Sequence, residues 1–239
     1  MTNPARPAGT GGAGRAAAVN LVGQGRIGAA VAEWLSHAPG YRLQELIGRG
    51  ACGWQPAPLT IDTAGPGALR DHGERLLAEG DLWTVGAAAL ADTAFAERLR
   101  RVAQASGNRL RLFTATLAGP ARWPRETPVR LLVRQSAPGL GPAPGPVFDG
   151  PLAEAALRFP DHLNTATAAA LAGPGIAATT VRLTCTQAGS PQVLALQYRM
   201  PGTLIETEAR FDLSPDRQHP VATAIIAALQ ERAGWLRFG

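Results

Sequence analysis

The chain contains no lysine, since all 23 of its Lys-plus-Arg residues are arginine. That absence removes Schiff-base chemistry, a pyridoxal-phosphate anchor and a P-loop lysine from consideration. Cysteine is scarce as well, with only Cys52 and Cys185. A disulfide scaffold and a four-cysteine metal centre are therefore excluded, and a reducing compartment fits. The 4 histidines are dispersed and share no ligand spacing with the cysteines, so no metal is expected. No G-x-S-x-G or Cys/His signature points to acyl transfer. No apolar run of about 18 residues exists, so no membrane span is expected. Residues 1–16 are Gly/Ala/Pro-rich without an apolar leader core, and the expectation is a disordered tail on a cytoplasmic protein. Aromatics make up only 5% of the chain, and the formal charge is +5. Arg98, Arg100, Arg101, Arg109 and Arg111 cluster, but few aromatics lie among them. A solvated helix face is expected there, and no nucleic-acid partner.

What is present is enough apolar residue, 46% of 239 positions, for one or two folded domains. Ala17–Val22 reads as a buried strand, and Ile27, Val31, Trp34 and Leu35 then repeat at helical spacing. Strands are expected at Tyr41–Ile47, Leu59–Asp62, Leu82–Val85 and Arg109–Phe113. Helices are expected over Pro66–Glu79 and from an Asp92 cap to Gly107. This alternation predicts a parallel α/β sheet. Beyond it come a strand at Val129–Val133, a Pro/Gly-rich loop over 136–146, and helices at Leu152–Arg158 and Leu163–Ala172. Strands at Thr179–Thr186, Gln192–Arg199 and Thr203–Phe211 follow, and Pro220–Arg232 closes the chain as a helix. Consecutive strands predict an α+β second domain with a mixed or antiparallel sheet. The expected partition is 17–125 with 220–239 as one unit and 126–219 as the other.

Gly23, Gly25 and Gly28 form G-x-G-x-x-G between a strand and a helix. Gly23 permits the tight turn, Gly25 lets a pyrophosphate approach the backbone, and Gly28 allows close helix–strand packing. The whole loop, Gly23, Gln24, Gly25, Arg26, Ile27 and Gly28, is the candidate dinucleotide site of a Rossmann-like domain. The second strand ends in Ile47-Gly48-Arg49, with no acid to hold a ribose 2′-hydroxyl. Arg49 suits a 2′-phosphate, so NADP is preferred, with NAD the other candidate.

The segments 19–28 (VNLVGQGRIG), 59–72 (LTIDTAGPGALRDH), 84–90 (TVGAAAL), 148–184 and 214–223 (SPDRQHPVAT) carry a resemblance to the L-aspartate dehydrogenase family. It runs from Val19 almost to the end of the chain. It implies a Rossmann domain, an α+β catalytic domain, a C-terminal helix returning to the first domain, and a homodimer or homotetramer. It also implies NAD(P)-dependent conversion of L-aspartate to oxaloacetate and ammonia through iminosuccinate. Carried over by position, Asp62, Ala64 and Gly65 fall beside the cofactor, Gly86 and Ala87 fall near the nicotinamide, and Asn164 falls at the active-site cleft. His162, two residues before Asn164, and His219 are the candidate proton carriers. Arg122, Arg125, Arg130 and Arg134 are candidates for pairing with a dicarboxylate.

The chain departs from the family pattern at four places. The catalytic His of the family's N-x-H falls on Leu194 without a gap, or on Val193 after a one-residue shift, and neither carries protons. The family's Asn-Pro-Lys-Thr-Ser reads His219-Pro220-Val221-Ala222-Thr223. Residues 48–58 are too few for the helix and strand that usually follow the second strand, which trims the wall beside the adenosine. Arg134-Gln135-Ser136 stands near the family's Arg-Lys-Pro. Two alternatives to the dehydrogenase reading follow. One is a catalytically silent member acting as a binding or regulatory subunit, and the other is a reductase for a different imine or keto substrate.

Overall fold

The computed structural model describes residues 16–48, 50–113, 128–214 and 216–233. Residues 1–15 of the predicted tail over 1–16, together with Arg49, Arg122 and Arg125, lie outside them.

The first half builds one parallel sheet. Its strands are β1 (Ala17–Val22), β2 (Tyr41–Ile47), β3 (Leu59–Asp62), β4 (Asp81–Thr84) and β5 (Leu110–Leu112), in the order β2-β1-β3-β4-β5. All four pairings are parallel. β3 lies beside β1 because no further strand intervenes after β2, and the strand order reverses there. A reversal of this kind opens a crevice outside the carboxyl ends of β1 and β3. Helix α1 (Arg26–His37) covers one face and buries Val31 and Leu35 against Val19, Leu21 and Ile61. Helices α2 (Pro66–Glu79) and α3 (Thr93–Ser106) cover the other, burying Leu69, Leu76, Leu77, Phe95 and Leu99 around Val22, Ile47 and Leu82. Asp92 caps α3 by accepting from the Ala94 and Phe95 amides, and Gly107 ends it in the left-handed conformation (φ 73°).

The segment that is too short for a helix and a strand still covers the sheet. Trp54 and Ala51 pack on the α2/α3 core. The buried Asn20 side chain donates to the Gln55 carbonyl at 2.7 Å. Trp54 Nε1 donates to Glu79, and the Arg75 guanidinium lies 4.0 Å from the Trp54 ring.

The second sheet is formed by β6 (Arg130–Pro138), β7 (Gly145–Pro151), β8 (Thr179–Thr186), β9 (Gln192–Met200) and β10 (Thr203–Phe211), in the order β10-β9-β6-β8-β7. It is mixed: β6 and β8 run parallel and the other pairs antiparallel. β6 runs on into the expected 136–146 loop, and β7 starts at the end of that loop and covers residues for which the sequence suggests no element. Its prolines at 146 and 151 speak against a strand, but β7 is an edge strand, where a missing amide leaves no ladder bond broken on the solvent side. Helices α4 (Leu152–Arg158) and α5 (Asn164–Ala172) cover one face of this sheet through Leu152, Ala155, Ala166 and Ala169. The last helix, α6 (Pro220–Ala233), joins the first core: Ile225 and Leu229 pack with Val19, Leu21 and Trp83. Tyr41 fixes it there by donating its hydroxyl to the Leu229 carbonyl at 2.9 Å. Among the described residues no helix is long and apolar enough to cross a membrane, and no group of three or more His, Cys, Asp and Glu is arranged to hold a metal.

Candidate active site

The glycine loop has the geometry its spacing predicts. Gly23 turns at φ +96°, and a Cβ there would meet the Ala64 amide nitrogen at 2.9 Å. A Cβ on Gly28 would lie 2.2 Å from the Gly23 carbonyl oxygen, so α1 packs directly on the turn. Gly25, by contrast, has nothing within 4 Å of a built Cβ, and no side chain caps α1. Open space over an uncapped helix N-terminus suits an incoming phosphate. Ile27 packs on the first core. Gln24 is exposed, and its Nε2 lies 3.4 Å from a Cβ built on Gly48, so it leans over the end of β2.

Below the loop, β3 and β4 end in a polar pair at one register, Asp62 opposite Thr84. Thr84 Oγ1 donates to Asp62 Oδ2 at 2.6 Å and accepts from the Gly86 amide at 2.8 Å. The Ala64 amide donates to Asp62 Oδ1 at 2.9 Å. Asp62 is 1% exposed. Burial pushes its carboxyl up to about 6, against the hydrogen bonds from Thr84, Ala64 and Gly65 and the charge of His72, which pull it down. The sequence reading places Asp62 in the loop beside the cofactor and weighs it as a nearby acid, a cap or a solvated residue; it carries Thr84 only within the segment 84–90 and does not pair the two. The available signal was that both strands end in a polar residue shortly before a glycine.

A short 3-10 turn over Ala87–Ala91 carries the chain from this network into α3. Ala87 has no exposed surface. The Ala88 amide donates to Asn164 Oδ1 at 3.0 Å, which ties the N-terminus of α5 to the first unit. His162 is half-buried beside it, and its carbonyl accepts from Gln135 Nε2 at 3.0 Å. That bond fixes the Gln135 amide orientation and leaves Oε1 buried without a partner among the described residues. Gln135 stands opposite Leu194 across β6 and β9. Strand alternation turns Leu194 inward with Leu196 and Tyr198, and turns Val193 to the other face. The position facing α5 is therefore Leu194, which is fully buried.

Other candidates are placed elsewhere. Arg130 and Arg134 are exposed, on the face opposite Leu131, Val133 and Gln135, and Arg134 pairs with Glu206 at 3.7 Å. They do not face α5, because the two-residue strand period places them outward. His219 lines a cavity of about 860 Å³ with Arg26, Trp34 and Tyr41, and no residue around Asn164 lines that cavity. Its Nδ1 accepts from the Val221 amide at 3.2 Å, which caps α6. Burial, and then the Arg26 charge, hold its pKa below the ordinary value. Arg26 itself donates to the Leu213 carbonyl at 2.6 Å, tying the glycine loop to the segment after β10. Arg98 and Arg100 are engaged by Glu74 and Glu97 on exposed helix surface.

A family model described as "Aspartate dehydrogenase, C-terminal" matches residues 134–232. L-aspartate dehydrogenase 2 of Bordetella pertussis is 31% identical over 198 residues, covering 74% of this chain and 73% of the relative. L-aspartate dehydrogenase of Archaeoglobus fulgidus is 28% identical over 228 residues, covering 88% and 93%. The crystal structure of aspartate dehydrogenase from Thermotoga maritima superposes with a TM-score of 0.75 at 17% identity, over 94% of this chain and 100% of that one. At that identity the superposition shows a shared fold.

Proposed function

The chain belongs to the L-aspartate dehydrogenase family, and from that premise we propose that it is an NAD(P)-dependent oxidoreductase acting on the CH–NH2 group of L-aspartate. Oxidation of L-aspartate to iminosuccinate would remove a hydride from the C–H bond and a proton from the amine. Water then hydrolyses the C=N bond to oxaloacetate and ammonia. When bound, the cofactor supplies the hydride acceptor. Gly23, Gly25 and Gly28 with the start of α1 would hold its phosphates, and Ala64, Gly65 and Gly86 would wall the crevice. The absence of a carboxylate at Ile47-Gly48 supports NADP over NAD.

The observation that carries this reading is the bond from the Ala88 amide to Asn164, which sets α5 and His162 on the loop that follows the crevice. His162 and Asp161 are the titratable residues beside Asn164, and His162 serves as the base; His219 is occupied as a helix cap. The two units are 17–125 with 220–239, for the cofactor, and 126–219, for the substrate; the packing of α6 in the first core supports that division. The protein assembles as a homodimer or homotetramer. The test is NADPH formation from NADP and L-aspartate. The expected result is saturable turnover that His162→Gln lowers about 100-fold without loss of cofactor binding. Cofactor binding without any turnover would overturn it.

That outcome would favour the second reading, a catalytically silent member acting as a binding subunit. Leu194 and Gln135, both buried at the inner face, support it. Turnover with another imine or keto acid would favour the third.

A further inference from the structure

We infer that Asp62, with Thr84 as its relay, is a positioning residue of the dinucleotide crevice, holding the loops after β3 and β4 at a fixed spacing from the glycine loop. The inference rests on the dinucleotide reading above and extends it to a residue that never faces solvent.

The hydrogen bonds have a direction. The Gly86 N–H donates to Thr84 Oγ1, and the Thr84 O–H donates to Asp62 Oδ2. The Ala64 N–H donates to Asp62 Oδ1, and the Gly65 amide adds a further bond. An ionised carboxylate accepts from all of these donors at once with both of its oxygens. An asparagine could keep its oxygen on the Ala64 and Gly65 amides, but it would turn an N–H toward Thr84 Oγ1 and leave the Thr84 O–H without Oδ2 as its acceptor. The loops so joined leave little slack. A Cβ on Gly86 would lie 2.7 Å from the Gly65 carbonyl group, and one on Gly23 would lie 2.9 Å from the Ala64 nitrogen. Thr63 Oγ1 donates to the Val22 carbonyl at 2.8 Å, which closes the set onto β1. One buried carboxylate thus joins the loops after β3 and β4, and Thr63 ties them to the start of the glycine loop.

The fold keeps this acid despite its burial. An acid held above its ordinary pKa stabilises the fold while protonated, and that contribution is lost as the pH rises through about 6. Cofactor affinity should run the other way, because the clamp needs the ionised form. The charged neighbour acting on Asp62 is His72 of α2.

The test compares wild type, Asp62→Asn, Thr84→Val and Thr84→Ser by NADH titration across about pH 5 to 8. NADH is the probe because it carries no titrating 2′-phosphate. Amide hydrogen exchange is read over the segments holding Ala64, Gly65 and Gly86. Asp62→Asn and Thr84→Val should weaken NADH about 10- to 100-fold, and Thr84→Ser should stay within about twofold. Wild-type affinity should fall as the pH drops through about 6, whereas that of Asp62→Asn should not. Exchange at the three amides should quicken in Asp62→Asn and Thr84→Val with the melting transition still cooperative. Unchanged exchange and affinity in both variants would overturn the inference. If wild type binds no nucleotide yet exchange quickens in the variants, the clamp stands and the dinucleotide reading falls.

Discussion

The crevice at the ends of β1 and β3 and the inner face of the second sheet lie on one chain of contacts, yet they are built of different material. The first is made of backbone: three glycines, a helix N-terminus and amides held by one buried acid. The second is made of side chains at alternate strand positions. Those positions hold Gln135 and Leu194, where the family resemblance leads one to expect a Lys and a His. A backbone site needs few identities, and each is forced by contact distance. A side-chain site loses its chemistry with one substitution and no change of fold, since Leu194 packs with Leu196 and Tyr198 as any core leucine would. The comparison teaches that retention of the fold and the glycine loop speaks for cofactor binding, while proton transfer has to be argued residue by residue.

The largest effect expected comes from rebuilding the side-chain site. Leu194→His combined with Gln135→Lys should raise aspartate oxidation about 100-fold, the usual worth of a placed acid–base group. Val193→His should do nothing, because that residue faces away. Steady-state kinetics of the variants check this, and equal rates in all of them would erase the contrast between the two regions. Next is the backbone site. Gly28→Val would force side-chain atoms against the Gly23 carbonyl and should cost about 3 kcal/mol in urea unfolding. A melt indistinguishable from wild type would show that the close approach is not real. Smaller again is the joint between the regions. Asn164→Ala leaves the buried Ala88 amide without its acceptor and should cost about 1–2 kcal/mol. Asn164→Asp keeps the acceptor and should cost less, as chemical denaturation of the pair would show.

Much of the fold was legible from periodicity and caps. Leu59–Asp62, Pro66–Glu79, Leu152–Arg158 and Thr179–Thr186 have the boundaries their patterns predict. β7 was hidden because its prolines are admissible only on an edge, and edges are a property of the whole sheet. The glycine loop was legible because it is local. Asp62–Thr84 was less so, since it needs two strands in register. His219 could not be assigned from sequence, because its place beside Arg26, Trp34 and Tyr41 depends on where α6 docks. The choice between Leu194 and Val193 needed only strand phase, which the pairing with Gln135 supplies.

The most direct test of the central claim, an intact backbone crevice, is a titration of the purified protein with NADPH and with NADH, read by tryptophan fluorescence and calorimetry. The account predicts saturable binding at one site per chain, tighter for NADPH. No binding of either nucleotide at about millimolar concentration would contradict it.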